Sequence, residues 1–161
     1  MHITLWGTRG SVAAPGPETA RYGGNTSCVE VRGADGTVLV LDAGTGIRRL
    51  GAVLPKTLRR VDLLLTHLHM DHLQGLGFFA PLYNPEMEVH IWGPASTTLP
   101  LQARLSRYMS PPLFPVHLSN VLAFGFEPTA DGQRFLVSVA SSVPDATANV
   151  IINWPAALNR P

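Results

Sequence analysis

Four side chains able to bind a cation occupy six consecutive positions in His67-Leu68-His69-Met70-Asp71-His72. They follow a continuous apolar run, Val61-Asp62-Leu63-Leu64-Leu65-Thr66, of the kind shown by a strand buried on both faces. A loop between a buried strand and a helix is where an α/β sheet builds its binding sites. In extended backbone His67 and His69 project to the same side and can reach one ion, while Asp71 and His72 at the turn can reach a second. Imidazole and carboxylate suit zinc, with manganese or iron as alternatives, rather than calcium or magnesium. Two such ions, roughly 3.5–4 Å apart, would bridge a water, lower its pKa toward about 7 and clamp an ester undergoing hydrolysis. The competing reading is a polar loop with satisfied hydrogen bonds. That reading suits one isolated histidine far better than three with an aspartate.

The elements around this loop alternate between strand and helix. Short β runs at 2–6, 27–32 and 37–42 are separated by turns, with Gly33, Asp35 and Gly36 as hairpin residues, so the opening is antiparallel. A short helix is expected over 45–54, a strand over 61–66, a helix starting near His72 or Leu73, a strand over 87–92 and a helix within 95–108. Pro111, Pro112 and Pro115 then interrupt regular structure. Two further strand-like runs, 134–140 and 148–154, are joined by a polar turn.

Composition narrows the classes. The 161 residues fit one domain with a core of its own. Charged residues make up 14%, against roughly 25% in a typical soluble domain, which suggests that an apolar face meets another subunit. A net charge of +1, with scattered basic residues, gives no electrostatic footprint for nucleic acid, so no such partner is indicated. The single Cys28 rules out an intrachain disulfide and a thiolate cluster. With neither a leader-like N-terminus nor a run of roughly 20 apolar residues, a cytoplasmic protein away from membranes is expected.

The residues 66–75, Thr66-His67-Leu68-His69-Met70-Asp71-His72-Leu73-Gln74-Gly75, resemble the H-x-H-x-D-H signature of the metallo-β-lactamase superfamily. The segments Trp6-Gly7-Thr8-Arg9-Gly10-Ser11, Tyr22-Gly23-Gly24-Asn25-Thr26-Ser27-Cys28, Leu41-Asp42-Ala43-Gly44-Thr45-Gly46 and Ser110-Pro111-Pro112-Leu113-Phe114-Pro115 are similar to its phosphodiesterase-like branch. The likeness covers about residues 1–126 and implies an α/β fold, half of an αββα sandwich with a mixed sheet and helices on one face. It also implies that His67 and His69 hold a first metal and Asp71 and His72 a second, with Asp71 also steering the nucleophile. Asp42 would lie beneath them and orient a histidine; the alternative for Asp42 is an ordinary turn aspartate.

Where a full-length relative supplies a third His to the first metal, a bridging Asp and a last His, this chain lacks the corresponding motifs. His2 and His90 read as structural residues on strands, and His117 falls in no ligand motif of the family. Residues 127–161 resemble the closing strands of bacterial β-propeller proteins, through Asp131-Gly132-Gln133-Arg134-Phe135-Leu136-Val137 and Val150-Ile151-Ile152-Asn153-Trp154, and read as a tail of different origin. Half of a sandwich exposes the face the other half would cover, and a two-fold homodimer is the simplest remedy. The expected function is metal-dependent hydrolysis of a small ester. Phosphodiesters come first, with phosphotriesters or phosphonate esters also open and a broad substrate range. The alternatives are a non-catalytic metal-binding dimeric remnant, or a lactam, thioester or carboxylic ester hydrolase built on the same residues.

Overall fold

Strand-forming residues in alternation and glycine-bearing turns produce the first three strands of the computed structural model, which describes residues 1–118. Strand β1 spans His2–Gly7, β2 Cys28–Arg32 and β3 Val38–Leu41. The β2–β3 turn closes through Gly33 N–H donating to Thr37 O, with Gly36 at φ 88°, a conformation glycine adopts without steric cost. Helix α1 (Gly46–Val53) buries Ile47 and Leu50, one turn apart, and turns Arg48 and Arg49 to solvent. Strands β4 (Arg60–Leu64) and β5 (Glu88–Trp92) and helices α2 (Met70–Leu73) and α3 (Leu101–Tyr108) complete the regular elements.

The five strands form one mixed sheet in the order β1-β2-β3-β4-β5. The β1–β2 and β2–β3 pairs are antiparallel, and β3–β4 and β4–β5 are parallel. The strands and helices expected within the described residues are all present, with two differences. Strand β4 ends at Leu64, two residues earlier than the expected 66, so Leu65 and Thr66 stand between it and His67. The helix expected from His72 or Leu73 starts earlier, at Met70, and lasts one turn. Gly75 and Gly77 lie just beyond it, and the chain continues as 3-10 turns at Leu76–Phe78 and Ala80–Tyr83.

Alternation along the strands sorts the two faces of the sheet. Val38, Val40, Val61, Leu63, Val89 and Ile91 are buried in one core with Ile47, Leu50, Leu76, Phe79 and Leu105, so the helices cover this face. On the opposite face two rows run in register across all five strands. They are Leu5-Val29-Leu41-Leu64-Trp92 and Ile3-Val31-Leu39-Asp62-His90. None of these ten side chains is fully buried, and Leu5 and Ile3 are 64% and 55% exposed. The pattern is that of a half-sandwich with helices on one side. The boundary at residue 126 and the strand-like runs at 134–140 and 148–154 lie outside the described residues.

Candidate metal centre

Because β3 and β4 are parallel neighbours, with Leu41 opposite Leu64, the segments leaving their C-terminal ends lie side by side. Asp42 follows β3, and its N–H donates to Leu64 O at 2.8 Å. The 67–72 loop follows β4 and is tied back to the β3 segment by Ala43 N–H to His72 O (2.8 Å) and Gly75 N–H to Ala43 O (2.9 Å). Gly44 lies beneath this loop. A Cβ there would fall 2.5 Å from Asp71 O and from Thr26 Oγ1 and 2.6 Å from Ser27 O, so no larger residue fits the stack.

Donor atoms of His67, His69 and Asp71 converge within 4.8 Å of one another. The rings of His67 and His69 meet edge to face at 4.5 Å, and His67 lies 4.0 Å from His72, ring centre to ring centre. Burial, with His72 and His69 beside it, holds His67 below its ordinary pKa, so at neutral pH the imidazole keeps a lone pair free for a ligand. Asp71 Oδ2 accepts the Ser11 N–H at 2.9 Å, which holds its carboxyl below the usual range and keeps it ionised. Two imidazole nitrogens and a carboxylate oxygen are a donor set that fits a divalent transition metal.

The pairing expected from sequence placed Asp71 with His72. Here the Asp71 carboxylate converges with His67 and His69 and also lies 3.5 Å, through Oδ2, from His72 Nε2, while the other ring nitrogen of His72 faces Asp42.

Asp42 is 4% exposed. Its Oδ1 accepts the Thr66 N–H at 2.8 Å, and its carboxylate takes the Thr66 hydroxyl at 2.9 and 3.0 Å and the Ser27 hydroxyl at 3.3 Å. His72 Nδ1 lies 2.8 Å from Asp42 Oδ2, although the ring N–H is not well directed at it. Among the described residues, the non-glycine residues at positive φ are Ser11 (65°) and Asp42 (63°). Both sit in the left-handed region, and both touch this cluster, one through Asp71 and the other through His72.

Sequence reasoning singled out no role for Ser11, Ser27 or Thr66. Ser11 is 60 residues from Asp71 in sequence. It arrives because Thr8 and Arg9 N–H groups bond Asn25 O, pinning the 8–12 loop beside the Thr26–Ser27 segment. His2 and His90 face partners on their own strands. His2 Nδ1 faces the Thr4 hydroxyl at 3.3 Å, and His90 Nε2 lies 3.5 Å from Glu88 Oε2. No helix among the described residues is long and apolar enough to cross a membrane.

A protein named Ribonuclease Z from Haloarcula marismortui is 31% identical over 126 residues, covering 76% of this chain and 38% of that protein. One of the same name from Natronomonas pharaonis is 30% identical over 124 residues, 75% of this chain and 38% of its own length. A third, from Thermococcus gammatolerans, is 33% identical over 90 residues, 53% of this chain and 29% of that protein. The chain thus spans between about a quarter and two-fifths of the relatives it matches. No solved structure gives a significant match. With relatives named as ribonucleases, the expectation of no nucleic-acid partner is left without support. The model of the metallo-beta-lactamase superfamily matches residues 21–140, a span containing Asp42 and the whole 67–72 loop, and the chain belongs to that superfamily.

Proposed function

We propose that this chain carries the N-terminal side of a metal-dependent phosphodiesterase centre, with the phosphodiester linkage of RNA as the leading substrate class. The observation that carries the reading is the convergence of His67, His69 and Asp71 donor atoms at the C-terminal end of β4. The family match and the name borne by its relatives support the substrate class. His67, His69 and Asp71 would hold the metal, with His72 offering a further donor beside Asp71. Zinc is the first choice, with manganese or iron as alternatives. When bound, the metal supplies polarisation of water and of the phosphoryl oxygens. The chain's own residues do the positioning. The Ser11 amide fixes one Asp71 oxygen, leaving the other for the metal or for a water proton, and Asp42 holds His72 from below. Phosphotriesters and phosphonate esters fit the same chemistry as secondary substrates. The sheet face that the described helices leave uncovered supports a two-fold homodimer as its cover, for which a solution mass of two chains is the expected result.

The test is turnover of a short RNA and of bis-nitrophenyl phosphate by zinc-loaded protein, with and without chelator. Activity is expected to vanish with the metal and to fall by at least 100-fold in His69→Ala and Asp71→Ala. Full activity after chelation would refute the reading. A second reading, a metal-binding module without catalysis, rests on the three-donor cluster of His67, His69 and Asp71 taken by itself. It predicts stoichiometric zinc with no turnover to lose.

A further inference from the structure

We infer that Thr66 is a positioning residue: its hydroxyl links Asp42 to His67, fixing the imidazole with its proton on Nδ1 and its lone pair on Nε2. The inference rests on the proposed role of His67 as a metal ligand, but its central claim concerns the metal-free chain.

The available protons fix the direction of each contact. Thr66 Oγ1 lies 2.9 and 3.0 Å from the two oxygens of Asp42 and 3.0 Å from His67 Nδ1. A hydroxyl has one proton to give and lone pairs to receive. The carboxylate oxygens of Asp42 can only accept, so the Thr66 proton goes to Asp42. The contact with His67 is then satisfied only if Nδ1–H donates to Thr66 Oγ1. In a neutral imidazole that choice leaves Nε2 unprotonated, the form a metal needs.

The carboxylate end is itself fixed. The Thr66 N–H donates to Asp42 Oδ1 at 2.8 Å, and the Ser27 hydroxyl approaches Oδ2 at 3.3 Å. One residue thus grips Asp42 with both its amide and its hydroxyl and passes the orientation to the side chain that follows it. Asp42 also meets His72 Nδ1 at 2.8 Å. The same buried carboxylate thus lies against His72 directly and reaches His67 through Thr66. The shortening of β4 makes this geometry available. With the strand ending at Leu64, Thr66 leaves the ladder and its hydroxyl can turn toward the segment after β3.

Thr66→Val removes the hydroxyl at nearly constant shape, and Thr66→Ser keeps it. Thr66 is exposed, so neither change disturbs core packing. The measurements are the long-range proton–nitrogen spectrum of 15N-histidine-labelled, metal-free protein and the dissociation constant for zinc by competition with a chromophoric chelator. In the wild type and in Thr66→Ser, His67 is expected as a single Nδ1–H tautomer. In Thr66→Val the expected result is a mixture of tautomers and zinc affinity weakened about 10- to 100-fold. A wild-type spectrum with His67 protonated at Nε2 overturns the inference without any variant. So does a Thr66→Val spectrum identical to that of the wild type. Protein that binds no zinc yet shows the tautomer change would sink the proposed function and leave the role of Thr66 standing.

Discussion

Replacing Asp42 by alanine should destabilise the metal-free fold by about 3–5 kcal/mol, and the figure can be worked from its contacts. The carboxylate, 4% exposed, receives the Thr66 amide at 2.8 Å and the Thr66 hydroxyl at 2.9 Å, with the Ser27 hydroxyl more weakly at 3.3 Å, and His72 Nδ1 lies 2.8 Å away. A hydrogen bond to a charged group contributes about 1.5–3 kcal/mol, and two short directed ones set the lower end of the range. Thr66 is exposed, so water recovers part of the loss there, which argues against a still larger value. Backbone strain gives an internal control. Asp42 sits at φ 63°, where alanine is penalised by about 1 kcal/mol and glycine is not. Asp42→Gly should therefore be less damaging than Asp42→Ala by about that amount, although it loses the same hydrogen bonds. Asp42→Asn keeps one acceptor oxygen for Thr66 and tolerates the left-handed backbone, so about 1–2 kcal/mol is expected. Urea unfolding with chelator present, read by the midpoint at an unchanged slope, measures all three. If Asp42→Ala shifts stability by less than about 1 kcal/mol, the carboxylate is not the anchor described here.

Three other outcomes follow from particular residues. Burial, with Asp42 and Glu30 nearby, pushes the Cys28 thiol up to about 12, so at pH 8 the folded protein should not react with a thiol reagent until urea is added; rapid native labelling would contradict this. Gly44→Ala puts a methyl against Asp71 O and Thr26 Oγ1, each 2.5 Å away, and should lower stability by about 1–3 kcal/mol, read as a drop in melting temperature, while weakening zinc binding by displacing the Asp71 backbone. For Asp62, burial raises the pKa, but hydrogen bonds from Arg60 and Trp92 outweigh it and the folded value lies below the ordinary 3.8. Its contribution to stability is thus present above that unfolded value and is lost as pH falls through the folded one, so Asp62→Asn should flatten the acid limb of a stability–pH curve, and an unchanged limb would count against the pairing.

The parts of this protein legible in its sequence are those governed by local rules. The alternation in Val38–Leu41, the helical spacing of Ile47 and Leu50 and the Gly33–Gly36 turn each depend on neighbours within a few residues, and the structure has them where expected. The density of His67, His69, Asp71 and His72 announced cation chemistry for the same reason, since a loop six residues long cannot carry its side chains far apart. Local spacing divided these residues into His67 with His69 and Asp71 with His72, and the folded chain brings the Asp71 carboxylate within reach of both groups.

What tertiary structure decided is the support beneath those side chains. Nothing in the spacing of Ser11, Asp42 and Thr66 brings them together. The parallel pairing of β3 with β4 lays Asp42 beside Thr66, and the 8–12 loop, held on Asn25, carries the Ser11 amide to Asp71. Sequence alone thus determined which atoms can bind a cation, because donor chemistry belongs to residue types. Their aim, and the protons that set it, came from hydrogen bonds between segments that only the folded sheet places within 3 Å.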